Sequence, residues 1–232
     1  MKKILFLAPL FLMACTVSQK IAYKTDDVTA SESANTIPIK VDVRVLEDNR
    51  MNIEDNSVLF DNPREIKLNG KRTCINSEKH YAKDTVVTQV TRLMVDHFNQ
   101  ARLFEEAFYN QDNSSDYYLT GTLNSFYGDQ KYSTGAAIGA GFGLIGALAT
   151  SGAKTPGKII IELADLKLFK KDGTFVKDFG TFYKEYEDEF KADAACWCIY
   201  WNINEKLKDF NTQLVEKIRN DLSSGGVNLS QK

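Results

Sequence analysis

The 232-residue chain predicts an α+β fold: a largely antiparallel sheet with two amphipathic helices on one face, plus a glycine-zipper insert. Three observations carry that expectation. Ile37, Ile39, Val41, Val43 and Val45 alternate with Pro38, Lys40, Asp42 and Arg44, the two-residue period of a half-buried strand. Two segments, 84–101 and 202–222, place apolar residues at helical spacing, one stripe each. Two long aromatic and β-branched runs flank Lys171-Asp172-Gly173, an Asp-Gly step that supplies the positive φ of a tight hairpin. Helices layered on one face of such a sheet bury both apolar surfaces at once.

In order along the chain, residues 37–45 form the first strand. Residues 47–83 mix Asn, Asp, Gly and Lys with short apolar groups such as Val58-Leu59-Phe60 and read as a loop with one extra strand pair. Asp84 is placed to cap a helix start, and Val86, Val87, Val90, Leu93, Met94, His97, Phe98 and Ala101 share one face of the helix that follows. His97 sits on that apolar face, the ordinary position of a hydrogen-bonded core histidine. A short strand at 107–109 and a turn at 111–115 lead to DYYLTGTLNSFY over 116–127, a long strand by its aromatic and Thr content. Strands 158–169 and 174–190 pair across the Asp-Gly turn. Their aromatic residues Phe175, Phe179, Phe182, Tyr183, Tyr186 and Phe190 read as the inner face of a strand, with a ligand groove as the alternative. The last helix carries Ile203, Leu207, Phe210, Leu214, Ile218 and Leu222 on one face and stops at Ser223-Ser224-Gly225-Gly226.

Between the long strands lies GAAIGAGFGLIGALAT, residues 135–150 of an insert spanning 135–153. Gly135, Gly139 and Gly143 recur every four residues and Gly146 follows three later, so in one continuous helix all four share a face that permits close backbone approach. Each glycine costs an exposed helix about 1 kcal/mol relative to alanine, so the segment calls for a partner. Sixteen helical residues span about 24 Å. Three readings compete: a hairpin packed on its own domain, a membrane-inserting or membrane-surface hairpin, and self-association as in a ring or channel subunit.

The N-terminus carries a different kind of signal. Lys2 and Lys3 precede the apolar run Ile4 to Ala14, which stops at Leu12-Met13-Ala14-Cys15. This resembles a bacterial lipoprotein signal peptide with its lipobox: a basic n-region, a short apolar core and a small residue at the cleavage site. Eleven apolar residues are too few to cross a hydrocarbon core of about 30 Å. The resemblance implies removal of residues 1–14, acylation of Cys15 with diacylglycerol and a further chain such as palmitate, and stable anchoring by two or more chains. Residues 15–36 then read as the lipidated cysteine and a flexible polar tether, and residues 37–226 as a single periplasmic domain. Thr16, where the inner-membrane retention signal is Asp, implies delivery to the outer membrane.

Composition excludes several functions. Loss of Lys2 and Lys3 moves the formal charge from −2 to −4, against the basic excess that nucleic acid selects. His80 and His97 are the only histidines; no H-E-x-x-H, Walker loop or G-x-S-x-G elbow is present, so neither an enzymatic role nor a cofactor is expected. Cys74, Cys196 and Cys198 remain for an oxidising compartment. One disulfide from Cys74 to either Cys196 or Cys198 is expected; a Cys₃His zinc site that adds His80 is the alternative.

The combination of lipobox, polar tether, a helix ending in Ala101-Arg102-Leu103-Phe104 and the strand Asp116-Tyr117-Tyr118-Leu119-Thr120-Gly121-Thr122-Leu123 is similar to ABC-transport auxiliary lipoproteins and, more distantly, to curli secretion-channel lipoproteins. The resemblance covers residues 37–127; the glycine insert and the Cys196-Trp197-Cys198 triplet depart from it. It implies a non-enzymatic accessory or scaffold in envelope transport or assembly, with outer-membrane lipid and an envelope protein or a second copy as partners. A membrane-active oligomer using the glycine segment is the alternative.

Overall fold

A computed structural model describes residues 21–26, 28, 36–50, 64–68, 71–75, 86–111, 115–143, 146, 152–193 and 196–224. The expected lipobox with Cys15, His80, Asp84 and most of the expected tether lie outside them. The described elements are β1 (Ile37–Val43), β2 (Glu47–Asp48), β3 (Arg64–Leu68), β4 (Lys71–Ile75), α1 (Val86–Gln100), β5 (Phe104–Tyr109), β6 (Tyr117–Lys131), α2 (Thr134–Gly141), β7 (Lys154–Lys170), β8 (Phe175–Lys191) and α3 (Cys198–Ser224). The α+β class stands, with a mixed, mostly antiparallel sheet.

Strand β6 is the spine. Along one edge it pairs antiparallel with β7 from Tyr117–Lys170 to Gln130–Gly157. Its other edge is divided among three short strands: β1 parallel at Tyr117–Leu119, β2 parallel at Thr122–Leu123, and β4 antiparallel at Asp129–Lys131. Beyond β1 lies β5, also parallel; beyond β4 lies β3; beyond β7 lies β8. The parallel β1–β5 pair requires a crossover, and α1 supplies it.

The end of α1 shows why the Ala101-Arg102-Leu103-Phe104 step matters. Arg102 adopts a left-handed φ of 50°. Its N–H donates to Asn99 O at 3.1 Å and the N–H of Leu103 donates to Phe98 O at 3.0 Å, the paired bonds of a Schellman cap with a buried apolar residue after it. Asn99 then exchanges two side-chain bonds with the backbone of Ala107, 2.9 and 2.8 Å, fixing helix to strand. Arg219 of α3 donates to Ala101 O at 3.1 Å, placing a cation at the negative end of α1.

Both long helices share one apolar core with the sheet. It joins Val86, Val90, Met94 and Phe98 of α1, Ile203, Leu207, Phe210, Leu214 and Ile218 of α3, and Leu119, Leu123, Phe126, Ile161 and Leu163 of the central strands. Several boundaries shift from expectation. Strand β1 stops at Val43; Val45 is exposed and Leu46 buried in its place, with the Leu46 N–H donating to the buried Thr91 hydroxyl at 3.2 Å. Helix α3 starts at Cys198, four residues early, because the Asp193 carboxylate accepts from the N–H groups of Trp197 and Cys198 at 3.0 and 2.6 Å and so extends the capped helix backwards. Of the β8 aromatics, Phe179 and Phe190 are buried, Phe182 and Tyr186 pack against the core, and Phe175 and Tyr183 are exposed.

Two glycines are dictated by close approach. A Cβ on Gly128 would lie 2.7 Å from Ile203 Cδ1, and one on Gly157 would lie 2.7 Å from the backbone oxygen of Asp129. The first obstacle is the end of a side chain, whereas the second is a main-chain atom of the paired strand. Gly157→Ala is therefore expected to lower stability by about 1–3 kcal/mol, more than Gly128→Ala, as read by paired urea-unfolding curves.

Candidate functional site

The N-terminal ends of α1 and α3 lie at the same end of the molecule. Ile21 N–H donates to Gln89 Oε1 in the early part of α1, and Ala22 N–H donates to Asn204 Oδ1 in the early part of α3; further along, His97 meets Thr212 and Arg219 meets Ala101. The two helices therefore run parallel. The same end holds the end of β6, α2 and the start of β7, and three features are built there.

The first is a covalent and hydrogen-bonded junction. Cys74 of β4 is joined to Cys196, two residues before the start of α3, with Cα atoms 5.4 Å apart and a sequence separation of 122. Cys196 has a left-handed φ of 65°. Cys198, within the helix, stays outside the disulfide. With the sulfurs of Cys74 and Cys196 bonded to each other, the three-thiolate zinc alternative loses two of its ligands; among the described residues no three His, Cys, Asp or Glu side chains are placed to hold a metal ion. Beside the disulfide, buried Gln130 donates to Thr155 Oγ1 and to the carbonyls of Phe190 and Lys191 at 2.8–2.9 Å. Asn202 of α3 donates to Gln130 Oε1 at 3.1 Å and to the Lys191 carbonyl at 2.9 Å, so β6, β7, β8 and α3 meet in one polar knot. An open groove of about 200 Å³ lies alongside, lined by Lys154, Phe190, Lys191, Trp201, Glu205 and Lys206 among others. Lys191 Nζ stands 4.1 Å from the centroid of the exposed Trp201 ring.

The second feature is α2, capped by the Ser133 hydroxyl accepting from Ala136 N–H at 3.1 Å. Here the glycine-zipper expectation is corrected. The helix stops at Gly141 and Gly143 takes a φ of +70°, so Gly135, Gly139, Gly143 and Gly146 do not form one stripe of a continuous helix. A Cβ on Gly146 would lie 2.0 Å from Gly139 O, whereas one on Gly135 would meet nothing within 4 Å. Two of the four glycines thus serve a fold-back of the chain on itself. Among the described apolar side chains of this stretch, Ala136 is buried, while Ile138 is 59% and Phe142 78% exposed.

The third was not legible as a site: the described part of the expected tether is docked. Ile21 is buried, and Tyr23 and Val28 pack against the core. Asn211 Nδ2 donates to the Tyr23 hydroxyl at 2.6 Å, and that hydroxyl lies 3.1 Å from His97 Nδ1. His97 Nε2 lies 3.3 Å from Thr212 Oγ1, which donates to Lys208 O at 3.0 Å. With the imidazole neutral, the Tyr23 hydroxyl donates to Nδ1 in preference to the more distant Leu93 carbonyl at 3.4 Å, and Nε2–H donates to Thr212. Burial, and secondarily Lys208, hold the His97 pKa down at about 4; burial pushes the Tyr23 phenol well above its usual range. The only advance signal was Ile21-Ala22-Tyr23, three less polar residues in a polar stretch.

No family model matches the chain, and no curated protein matches it. Among solved structures, the chain is similar to a Xanthomonas campestris protein described under the family model DUF330, at 12% identity over 85% of this chain and 94% of that one, TM-score 0.47. It is also similar to the PelC dodecamer of Paraburkholderia phytofirmans in two crystal forms. In one the identity is 7% over 81% of this chain and 92% of that one, TM-score 0.34; in the other it is 8% over 77% and 93%, TM-score 0.31. Overlaps at these identities and TM-scores carry neither family nor function to this chain.

Two outcomes follow. A chain with a neutral buried His97 keeps its full stability above the unfolded imidazole pKa of about 6.5 and loses it as pH falls toward 4, because the unfolded state takes up the proton first. Between pH 7 and 4.5 this amounts to about 2.5 kcal/mol, and urea unfolding of His97→Gln should show a pH loss smaller by that amount than the wild type. Reduction of the disulfide, or Cys74→Ser with Cys196→Ser, should cost about 4–5 kcal/mol for so long a closed loop, measured as a lowered unfolding midpoint.

Proposed function

We propose that this protein is a lipid-anchored component of the bacterial outer membrane that faces the periplasm and acts, without enzymatic activity, as an accessory or scaffold in envelope transport or assembly. The observation that carries the reading is the Cys74–Cys196 disulfide, a bond that persists in oxidising compartments such as the periplasm, in a chain whose residues Leu12-Met13-Ala14-Cys15 resemble a lipobox. Acylated Cys15 supplies the contact with lipid, and Thr16 favours the outer membrane. The domain supplies the surface for an envelope partner. No helix among the described residues is long and apolar enough to cross a membrane, so the anchor is the route to the bilayer in this reading. A second reading, a membrane-active oligomer or channel subunit, is favoured by the outward-facing Ile138 and Phe142, which offer a second copy an apolar contact.

Membrane-extracted protein is expected to carry the mass of the acyl chains on a chain starting at Cys15, and Cys15→Ser to lack both the acyl mass and the cleavage. An unmodified mature mass in the wild type refutes the anchor. Light scattering of the extract separates the two readings: a monomer supports the accessory role, while a discrete multimer that Phe142→Asp converts to folded monomer supports the oligomer.

A further inference from the structure

Residues 21–23 show which way the chain leaves the domain. The backbone N–H groups of Ile21 and Ala22 bond to Gln89 and Asn204 near the starts of the two parallel helices, whereas the N–H of Ile37 bonds to Leu103 O just past the end of α1. Read back toward the N-terminus, the chain therefore climbs toward the end that holds the disulfide and α2. Cys15 is six residues before Ile21, and six extended residues reach at most about 20 Å. A lipid on Cys15 consequently lies within that distance of Ile21, on the side of the domain where α1 and α3 begin, whereas the β7–β8 hairpin runs about 50 Å from this end to its tip along strands of 17 residues.

The surface at the near end is suited to that neighbour. Ile138 stands on the eight-residue α2 and Phe142 is its C-cap, four residues on, and both are directed to solvent. Exposed Lys131 and Lys154 close the two adjoining strands, and Lys191 covers Trp201 beside them. Apolar side chains flanked by lysines and an amphipathic indole are the composition of an interfacial surface, with aliphatic stems toward acyl chains and ammonium groups among head groups. An α2 of eight residues is about 12 Å long, which suits a helix lying in the interface and not one crossing the bilayer. Glu189 and Glu205 share the groove next to Trp201 and mark where the contact gives way to water.

We infer that the α2 end of the domain is a membrane-docking surface: Ile138 and Phe142 enter the head-group boundary of the bilayer that holds Cys15, and the docked segment 21–28 fixes that orientation. The inference rests on the lipid-anchor reading for its geometry, and its test separates the two. Full-length protein is produced with Cys198→Ser, a nitroxide label is placed at Ile138→Cys, Phe142→Cys or Phe175→Cys, and the extract is reconstituted into phosphatidylethanolamine–phosphatidylglycerol vesicles. Phe175 is exposed beside the far hairpin tip, so it serves as the water-facing reference. Labels at 138 and 142 should collide several-fold more with lipid-dissolved oxygen, and several-fold less with a water-soluble nickel chelate, than the label at 175. Equal chelate access at 142 and 175 in protein whose mass shows the acyl chains overturns the docking surface and leaves the anchor standing. Loss of access to both quenchers with spin–spin broadening overturns it in favour of a second copy covering α2. If the mass shows no acyl chains, the anchor reading falls; lipid access at 138 and 142 then supports the surface by itself, and chelate access overturns it too.

Discussion

Backbone pairing along both edges of β6 is the constraint on which the rest of the structure depends. A strand of 15 residues exposes donors and acceptors that must be satisfied wherever they are buried. One edge is covered by a single long partner, β7, while the other is covered piecewise by β1, β2 and β4. β1 and β2 follow one another in the chain and β4 is reached through β3, so the β3–β4 hairpin returns the chain to this edge, and α1 then carries it to β5 beside β1. The Schellman cap at Arg102 and the Asn99 clamp then control the angle at which one such return, α1 to β5, is made.

The periodic parts of this arrangement were legible in the sequence. The α1 and α3 stripes, the alternation of Ile37, Ile39, Val41 and Val43 and the turn at Asp172-Gly173 are local signals that recur in the fold, although Asp42 is buried and Val45 exposed against the alternation. What was not legible depends on events between distant segments. Cys196 and Cys198 are two residues apart and chemically alike; the choice of Cys196 follows from its place in the left-handed residue ahead of α3, which spacing does not reveal. The four glycines of the insert keep helical spacing, yet a turn at Gly143 ends the register, since a glycine that permits close packing also permits escape from the helix. Ile21-Ala22-Tyr23 is too short to show a period, and its anchoring partners, Gln89, Asn204 and Asn211, become visible only when α1 and α3 lie side by side.

The buried His97 relay and the Gln130–Asn202 knot do related jobs at different depths. Each places hydrogen-bonding side chains in the core where mispairing would leave a desolvated group without a partner. Gln130 and Asn202 thereby permit only one seating of α3 on β6, and His97 only one seating of Tyr23 between α1 and α3. Apolar contacts alone would tolerate sliding by a fraction of a turn; these polar contacts do not.

The docked N-terminal segment has a consequence for the order in which the molecule is completed. A chain emerges from its N-terminus, so Ala22 and Tyr23 appear early, but their partners Asn204 and Asn211 are 182 and 188 residues later. The first described residues of the protein therefore cannot take their final places until nearly the last ones have arrived. Closing such long loops is slow relative to local structure, which makes the strap one of the final contacts to form and α3 the latch that admits it. Any machinery that receives this chain while it is still emerging meets Ile21 to Tyr23 before their partners exist, and that segment becomes committed to the domain only after α3 has followed.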